Sequence, residues 1–207
     1  MEPLVSLWSY WADKMKVRGG KYRGARLKMM SGKKIRPATS RVKSAIFDIL
    51  PHNLSGQIVL DLFAGSGSLG IEALSRGAEE VIFVDQSQKS ARLIRENITK
   101  LGCREKSRVI VKKVSTALNQ LALEGIKFDL VFIDPPFDQA LCSRTLAHLA
   151  QSGILNEEAI IVIRHSLRES VEERYGELEL KDRRRYGDSQ VSFYLFQKEE
   201  KEEEQSG

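Results

Sequence analysis

The stretch Ile58-Val-Leu-Asp61-Leu-Phe-Ala-Gly65-Ser-Gly67-Ser-Leu-Gly70 decides the fold. A short apolar run ends in an acid, a glycine-rich turn follows, and residues 69–75 have the pattern of a helix. A strand, a glycine turn and a helix in this order build the nucleotide site of an open α/β sheet. Gly65 and Gly67 lack a Cβ, so the backbone can turn tightly and approach a ligand closely. The stretch therefore predicts a cofactor site at the start of the helix, where unpaired N–H groups lie.

Apolar runs alternate with helical patterns along the rest of the chain, which predicts a parallel sheet covered by helices on both faces. The further strands of this sheet are predicted at residues 80–85, 108–112, 128–133 and 159–163. Helices are predicted at residues 87–100, 116–124 and 139–150, the first capped by Ser87 and closed by Gly102. The last two runs, residues 178–185 and 190–197, flank a short turn and form a hairpin, so the sheet is mixed.

The chain has 207 residues, which fits one domain with a small appendage. We expect a basic N-terminal extension at residues 1–52, a catalytic domain at 53–197 and a disordered acidic tail at 198–207. The extension contains a glycine-rich hairpin at residues 15–30 and then a helix capped by Thr39 or Ser40. Arg41 and Lys43 fall off the apolar face of that helix.

Charge is distributed unevenly, because residues 1–50 hold twelve lysines and arginines against three acids, while the whole chain carries +5. This block suggests a polyanionic partner, although a merely solvated basic surface explains the composition equally well. The two cysteines have no metal-ligand spacing, which indicates no metal and a reducing compartment. No run approaches transmembrane length and the N-terminus lacks a secretory pattern, so we expect a cytoplasmic protein without a membrane partner.

The choice of cofactor depends on the acids around the glycine turn, because Gly65-x-Gly67-x-x-Gly70 also fits a dinucleotide fingerprint. Asp61 suits a cationic amino group and repels a pyrophosphate. Asp85 ends the second strand and is expected to hold ribose hydroxyls in either kind of site. With Asp134 downstream, these features point to S-adenosylmethionine. The predicted cofactor-binding residues are Asp61, Phe63, Ala64, Gly65, Ser66, Gly67, Ser68, Asp85, Gln86 and Ser115.

The motif Asp134-Pro135-Pro136-Phe137 ends the fourth strand of the sheet and is the predicted catalytic centre. The prolines hold the backbone extended and donate no hydrogen bond, so nearby carbonyls stay free to accept. An acid, a free carbonyl and an aromatic ring suit a planar base that bears an exocyclic amine. Asp134 and the Pro135 carbonyl would accept the two N–H groups, and Asp134 can take the proton released when the methyl transfers. No metal is required.

Five motifs resemble those of the bacterial RsmD family, the small-subunit ribosomal RNA guanine-N2 methyltransferases. These motifs are Arg18-Gly-Gly-Lys-Tyr-Arg-Gly24, Arg36-Pro-Ala-Thr-Ser-Arg-Val-Lys-Ser-Ala-Ile-Phe-Asp-Ile-Leu50, residues 61–73, residues 134–137 and Arg184-Arg-Tyr-Gly187. The resemblance covers about residues 16–197. It implies a Rossmann-like, class I S-adenosylmethionine-dependent methyltransferase fold. That α/β fold has a seven-stranded mixed sheet with one antiparallel strand, plus a small N-terminal β-hairpin and helix.

The resemblance also implies a reaction and a partner. A monomer would transfer a methyl group from S-adenosylmethionine to N2 of a guanine in the 16S rRNA of the small ribosomal subunit. The family often has an acid after the third strand, where this chain has Ser115. Basic residues of the hairpin, the first helix and the last hairpin would hold phosphates. The predicted RNA-binding residues are Arg18, Lys21, Tyr22, Arg23, Arg36, Thr39, Arg41, Arg184 and Arg185.

The sequence leaves three other functions open. An amino-methyltransferase could act on adenine N6 or on a protein glutamine, but such families often carry Asn where this chain has Asp134. A nicotinamide oxidoreductase could use the same glycines, and Asp61 argues against it. A non-catalytic RNA-binding or assembly factor would have no need of the complete Asp-Pro-Pro-Phe motif.

Overall fold

The computed structural model describes residues 15–30, 37–136 and 141–198, with side chains from residue 41 onward in the helix that begins at residue 37. The strands are β1 (Met15–Lys16), β2 (Arg26–Leu27), β3 (Ile58–Leu62), β4 (Glu80–Val84), β5 (Ser107–Ile110), β6 (Phe128–Ile133), β7 (Leu155–Ser166), β8 (Arg174–Tyr175), β9 (Leu178–Tyr186) and β10 (Ser189–Phe196). The α-helices are α1 (Pro37–Ile49), α2 (Ser68–Ser75), α3 (Gln88–Leu101), α4 (Val114–Leu123) and α5 (Leu141–Gln151). None of these helices, within the described ranges, is long and apolar enough to cross a membrane.

The main sheet has the strand order β5-β4-β3-β6-β7-β10-β9-β8. Strands β3 to β7 are parallel, and β10 runs antiparallel between β7 and β9. The predicted α/β class with a mixed sheet is confirmed. The predicted sheet has seven strands, one of them reversed, and this count is wrong. The described sheet has an eighth strand, β8, which pairs antiparallel with β9 and is also reversed. Two residues are too few to show the alternating pattern by which a strand is predicted.

Two apolar layers cover the sheet. On one face, α4 and α5 pack against residues such as Leu60 and Leu62, and on the other α2 and α3 pack against Val59 and its neighbours. The hairpin formed by β1 and β2 (residues 15–28, hereafter the N-terminal hairpin) joins the second layer together with α1. Phe47 of α1 is fully buried and its ring lies 5.5 Å from that of Phe132. Each such side chain contributes about 1.5–3 kcal/mol through burial, so the N-terminal hairpin and α1 stabilise the sheet.

Several element ends differ from the predictions. Helix α1 begins at Pro37, before Thr39 and Ser40, because proline is well suited to the first helical position. Helix α4 begins at Val114, so Ser115 lies in its first turn and neither ends a strand nor caps the helix. The predicted ends of α3 are confirmed: Ser87 Oγ accepts the N–H of Ser90 at 3.4 Å, and Gly102 is left-handed.

Candidate active site

The turn that follows β3 (residues 63–67, hereafter the glycine turn) has an unusual backbone. Phe63, Gly65 and Gly67 have φ values of 59°, 57° and 75°. Left-handed φ is natural for glycine and strained for a bulky residue such as Phe63. The conformation is fixed by backbone bonds, with the N–H of Ala64 donating to the Val84 carbonyl at 3.0 Å. The glycine turn is therefore held in one shape over the ends of β3 and β4.

The third glycine of the motif serves the packing of α2. A Cβ on Gly70 would lie 2.4 Å from Phe83 Cε1 and 2.7 Å from Val81 Cγ1, both on β4. Only a residue without a side chain lets α2 approach the sheet this closely. This contact aims the start of α2 at the carboxyl ends of the central strands.

Asp61 is 1% exposed, and its Oδ2 accepts the N–H of Gly70 at 2.9 Å. Burial raises the pKa of this carboxyl to about 8, although the Gly70 bond opposes the rise. Asp85 is half-buried, and its two oxygens accept the N–H groups of Gly65 at 2.9 Å and Ser87 at 2.8 Å. Asp61 thus supports α2, and Asp85 supports the glycine turn and the start of α3. Each oxygen keeps a second lone pair for a ligand.

Three acids lie at one edge of the sheet, where β4, β3 and β6 end (hereafter the carboxyl edge). Leu62 is in register with Val84 on one side and with Ile133 on the other. Asp85 and Asp134 follow these partners directly, and the charges of both also raise the pKa of Asp61. A concentration of carboxylates favours a cationic ligand and disfavours a pyrophosphate. The carboxyl edge therefore suits a sulfonium cofactor better than a dinucleotide.

Asp134 is paired with an arginine that sequence reasoning missed. Arg164 of β7 donates from Nε to Asp134 Oδ1 at 2.7 Å, and the two side chains are 18% and 27% exposed. The available signal was a charged residue directly after the apolar run at residues 159–163, since Ile163 is in register with Ile133 and Arg164 therefore stands beside Asp134. Pro135 is buried and Pro136 is exposed. Phe137 lies outside the described residues.

Lys43 is the second missed residue. It lies off the apolar face that the sequence predicts for α1, yet it is only 3% exposed. The N-terminal hairpin and α2 cover that side of α1. Lys43 Nζ lies 3.0 Å from Glu72 Oε2. Burial lowers the pKa of Lys43, and the Glu72 charge opposes this. Burial also opposes ionisation of Glu72, but Lys43 and the N–H of Arg18 outweigh it and hold the pKa of Glu72 below its usual range.

One cleft joins Lys43 to the carboxyl edge. It is lined by apolar side chains and a few polar ones, namely Met15, Val42, Lys43, Ile46, Ser68, Leu69, Phe132, Ile133, Asp134, Val162 and Arg164. The cleft therefore extends the site from the start of α2 to Asp134.

The N-terminal hairpin is tied to this site through its backbone. Glu72 accepts the N–H groups of Arg18 at 2.9 Å and Gly19 at 2.7 Å. The side chain of Asn97, on α3, accepts the N–H of Lys28 at 2.8 Å and donates to the carbonyls of Lys28 and Ser66, both at 3.1 Å. Asn97 thus bridges the N-terminal hairpin and the glycine turn. The signal in the sequence was the position of Asn97 between Ile94 and Ile98, which places a polar residue on the apolar face of α3.

The predicted RNA-binding residues do not form one cluster. Arg18, Lys21 and Arg23 are exposed on the N-terminal hairpin, and Arg41 is exposed on α1. Tyr22 is half-buried, with Lys21 Nζ 5.6 Å from its ring centroid, which leaves less of the ring open for stacking. Arg36 and the side chain of Thr39 lie outside the described residues.

The last hairpin lies elsewhere in the sheet. On β9, Arg184 donates to Asp182 at 2.8 Å and Arg185 to the Gly187 carbonyl at 3.2 Å. Strand β9 is four strands away from β3 in the main sheet. A basic groove beside the N-terminal hairpin was not predicted, and it is lined by Lys28, Gln88, Arg92, Arg95, Glu96, Thr99 and Lys100.

Comparisons with known proteins agree with this geometry. A family model described as Conserved hypothetical protein 95 matches residues 15–195. A Bacillus subtilis (strain 168) protein whose name proposes an rRNA methyltransferase is 34% identical over 180 residues, covering 87% of this chain and 98% of that protein. The ribosomal RNA small subunit methyltransferase D of Escherichia coli (strain K12) is 33% identical over 152 residues, covering 73% and 75%. A solved Escherichia coli structure, provisionally assigned as a methyltransferase, has a TM-score of 0.77 at 28% identity, covering 89% and 98%.

The fold and the carboxyl edge together define a class I, S-adenosylmethionine-dependent methyltransferase. The match over residues 15–195 includes the glycine turn, Asp134 and the N-terminal hairpin. The chain belongs to the family of Conserved hypothetical protein 95, the RsmD family, so the resemblance carried by the sequence motifs is confirmed.

Proposed function

We propose that this protein transfers the methyl group of S-adenosylmethionine to the exocyclic N2 of a guanine in the 16S rRNA of the small ribosomal subunit. The observation that carries the proposal is Asp134, held by Arg164 at the carboxyl edge beside Asp61 and Asp85. The names of relatives such as the Escherichia coli small subunit methyltransferase D support ribosomal RNA as the substrate. The guanine and its N2 atom come from the RsmD resemblance and the chemistry of Asp134-Pro-Pro.

In this proposal the glycine turn and two of the acids hold the cofactor. Asp61 receives the ammonium group of the methionyl part, and that positive charge favours the ionised form of its buried carboxyl. Asp85 accepts from the ribose hydroxyls while it continues to support Gly65. Gln86 is exposed beside it and can reach the ribose or adenine. Ser115, in the first turn of α4, remains a weaker candidate for the adenine edge.

The chemical step is an in-line displacement. With S-adenosylmethionine bound, the amine nitrogen would form a bond to the methyl carbon while the carbon–sulfur bond breaks, and the electron pair of that bond would stay on sulfur as a thioether. Asp134 accepts an N–H of the amine, which orients the lone pair and stabilises the positive charge that develops on nitrogen. Asp134, which is paired with Arg164, takes the proton once the methylated nitrogen has become acidic.

The exposed basic residues would position the RNA through its phosphates. The N-terminal hairpin and the basic groove beside α3 form one surface, since Lys28 belongs to both and Lys100 Nζ donates to the Arg26 carbonyl at 3.0 Å. We place the main phosphate contacts on this surface. Arg184 and Arg185 would act as a separate and more distant contact.

The experiment uses labelled S-adenosylmethionine and small ribosomal subunits that lack the modification. The RNA is digested after reaction and its methylated nucleosides are separated. Label in N2-methylguanosine is the expected result and identifies cofactor, acceptor and atom together. Label in N6-methyladenosine, or in protein glutamine alone, would identify a different acceptor and contradict the proposed one. Cofactor binding without any labelled product would favour an assembly factor instead.

A further inference from the structure

We propose that Lys43 binds the α-carboxylate of the methionyl group of S-adenosylmethionine, an inference that rests on the proposed cofactor. The methionyl end of this cofactor carries an ammonium and a carboxylate on the same carbon. The carboxyl edge supplies acids for the ammonium, but those acids would repel the carboxylate. The bound carboxylate therefore needs a cation close to Asp61.

Lys43 meets this need by its position. Its charge acts on Asp61 and opposes the rise of that pKa, so the two groups are electrostatic neighbours. It also lines the cleft that contains Ser68 and Asp134. A carboxylate in this cleft would lie between the ammonium of Lys43 and the positively polarised start of α2, which begins at Ser68.

Lys43 also has N–H donors that could bind a ligand. It is buried on α1, and its Nζ is paired with Glu72 at 3.0 Å, but among the described residues that Nζ makes no hydrogen bond of good geometry. The carboxylate of Glu72 already accepts the backbone N–H groups of Arg18 and Gly19. An ammonium has three N–H donors, and leaving them unpaired inside a protein is unfavourable. A ligand carboxylate would satisfy them.

The test compares two ligands on two proteins by isothermal titration calorimetry. S-adenosylmethionine has the carboxylate, and decarboxylated S-adenosylmethionine lacks it but keeps the sulfonium and the amine. Lys43→Met should weaken binding of the first about 10- to 100-fold and change binding of the second less than about threefold, as expected for loss of a hydrogen bond between charged groups. Lys43→Arg, which keeps the charge, should recover part of the affinity.

A different pattern would overturn the inference. If Lys43→Met weakens both ligands equally, Lys43 acts only as the counter-ion of Glu72. If neither ligand is affected while turnover falls, Lys43 contacts the acceptor base. Should Lys43→Met fail to fold, the double variant with Glu72→Gln removes both charges and is measured in its place. If the unaltered protein binds no S-adenosylmethionine, the proposed function fails and not merely this inference.

Discussion

Replacing Asp61 by asparagine should stabilise the protein while abolishing tight cofactor binding. The amide oxygen of Asp61→Asn can still accept the N–H of Gly70, so the local hydrogen bond is kept. What disappears is a buried carboxyl whose pKa is about 8, against an ordinary value of 3.8. A raised carboxyl pKa means that the folded state keeps a proton that the unfolded state releases. Rising pH therefore favours unfolding between these two pKa values.

The size of the effect follows from the two pKa values. Between pH 5 and about pH 8, the unaltered protein loses about 1.36 kcal/mol of unfolding free energy per pH unit through this one group. Above pH 8 the loss stops, because the folded state also releases the proton. The variant has no such group. Its stability advantage should therefore grow by roughly 3–4 kcal/mol from pH 5 to pH 9.

Urea denaturation of the cofactor-free proteins at pH 5, 7 and 9 measures this difference. The control is Asp48→Asn, the same chemical change at an exposed position of α1. A constant difference in unfolding free energy between Asp61→Asn and the unaltered protein across this pH range would show that Asp61 is ionised in the folded state, and the argument from burial would be wrong.

Calorimetry with S-adenosylmethionine should show at least a tenfold loss of affinity in Asp61→Asn, because an amide cannot neutralise the ammonium.

Three further predictions concern single side chains. Asp134→Ala should lower the methylation rate by about 10²–10³ at unchanged cofactor affinity, and near-normal turnover would remove Asp134 from the mechanism. Asn97→Ala should lower the unfolding free energy by about 1–3 kcal/mol in chemical denaturation, whereas the exposed Asn119→Ala should change it by less than about 0.5. Gly70→Ala should lower the melting temperature, since its methyl group would overlap Phe83 at a cost of about 1–3 kcal/mol, and an unchanged melting temperature would contradict the close contact of α2 with β4.

The sheet and the carboxyl edge were predictable because their signals are local. About ten residues of sequence are enough to recognise each of three features: the strand before Asp61, the glycines after it, and the apolar run before Asp134. Parallel strands end at the same side of a sheet, so Asp85 and Asp134 could be placed near Asp61 without coordinates. The two-residue strand β8 has no comparable pattern.

The supporting residues could not be predicted, because their partners are distant in sequence. Arg164 meets Asp134 across 30 residues, and Asn97 meets Lys28 across 69. The burial of Lys43 was not predicted because helical periodicity identifies one apolar face, whereas α1 also packs in the same apolar layer as the N-terminal hairpin. Such positions depend on tertiary packing, which local patterns do not encode.

The bonds from Glu72 and Asn97 to the N-terminal hairpin have a consequence for how this enzyme can diverge. They engage backbone groups of Arg18, Gly19 and Lys28, so they do not depend on which side chains those residues carry. The exposed side chain of Arg18 and its neighbours can therefore change without disturbing the bonds that hold the N-terminal hairpin beside the glycine turn. Loss of the whole N-terminal hairpin would be unfavourable, because it would leave the buried carboxylate of Glu72 and the buried carboxamide of Asn97 without these hydrogen-bond partners. The exposed side chains of the N-terminal hairpin can thus change one at a time, while its backbone is held in place by Glu72 and Asn97.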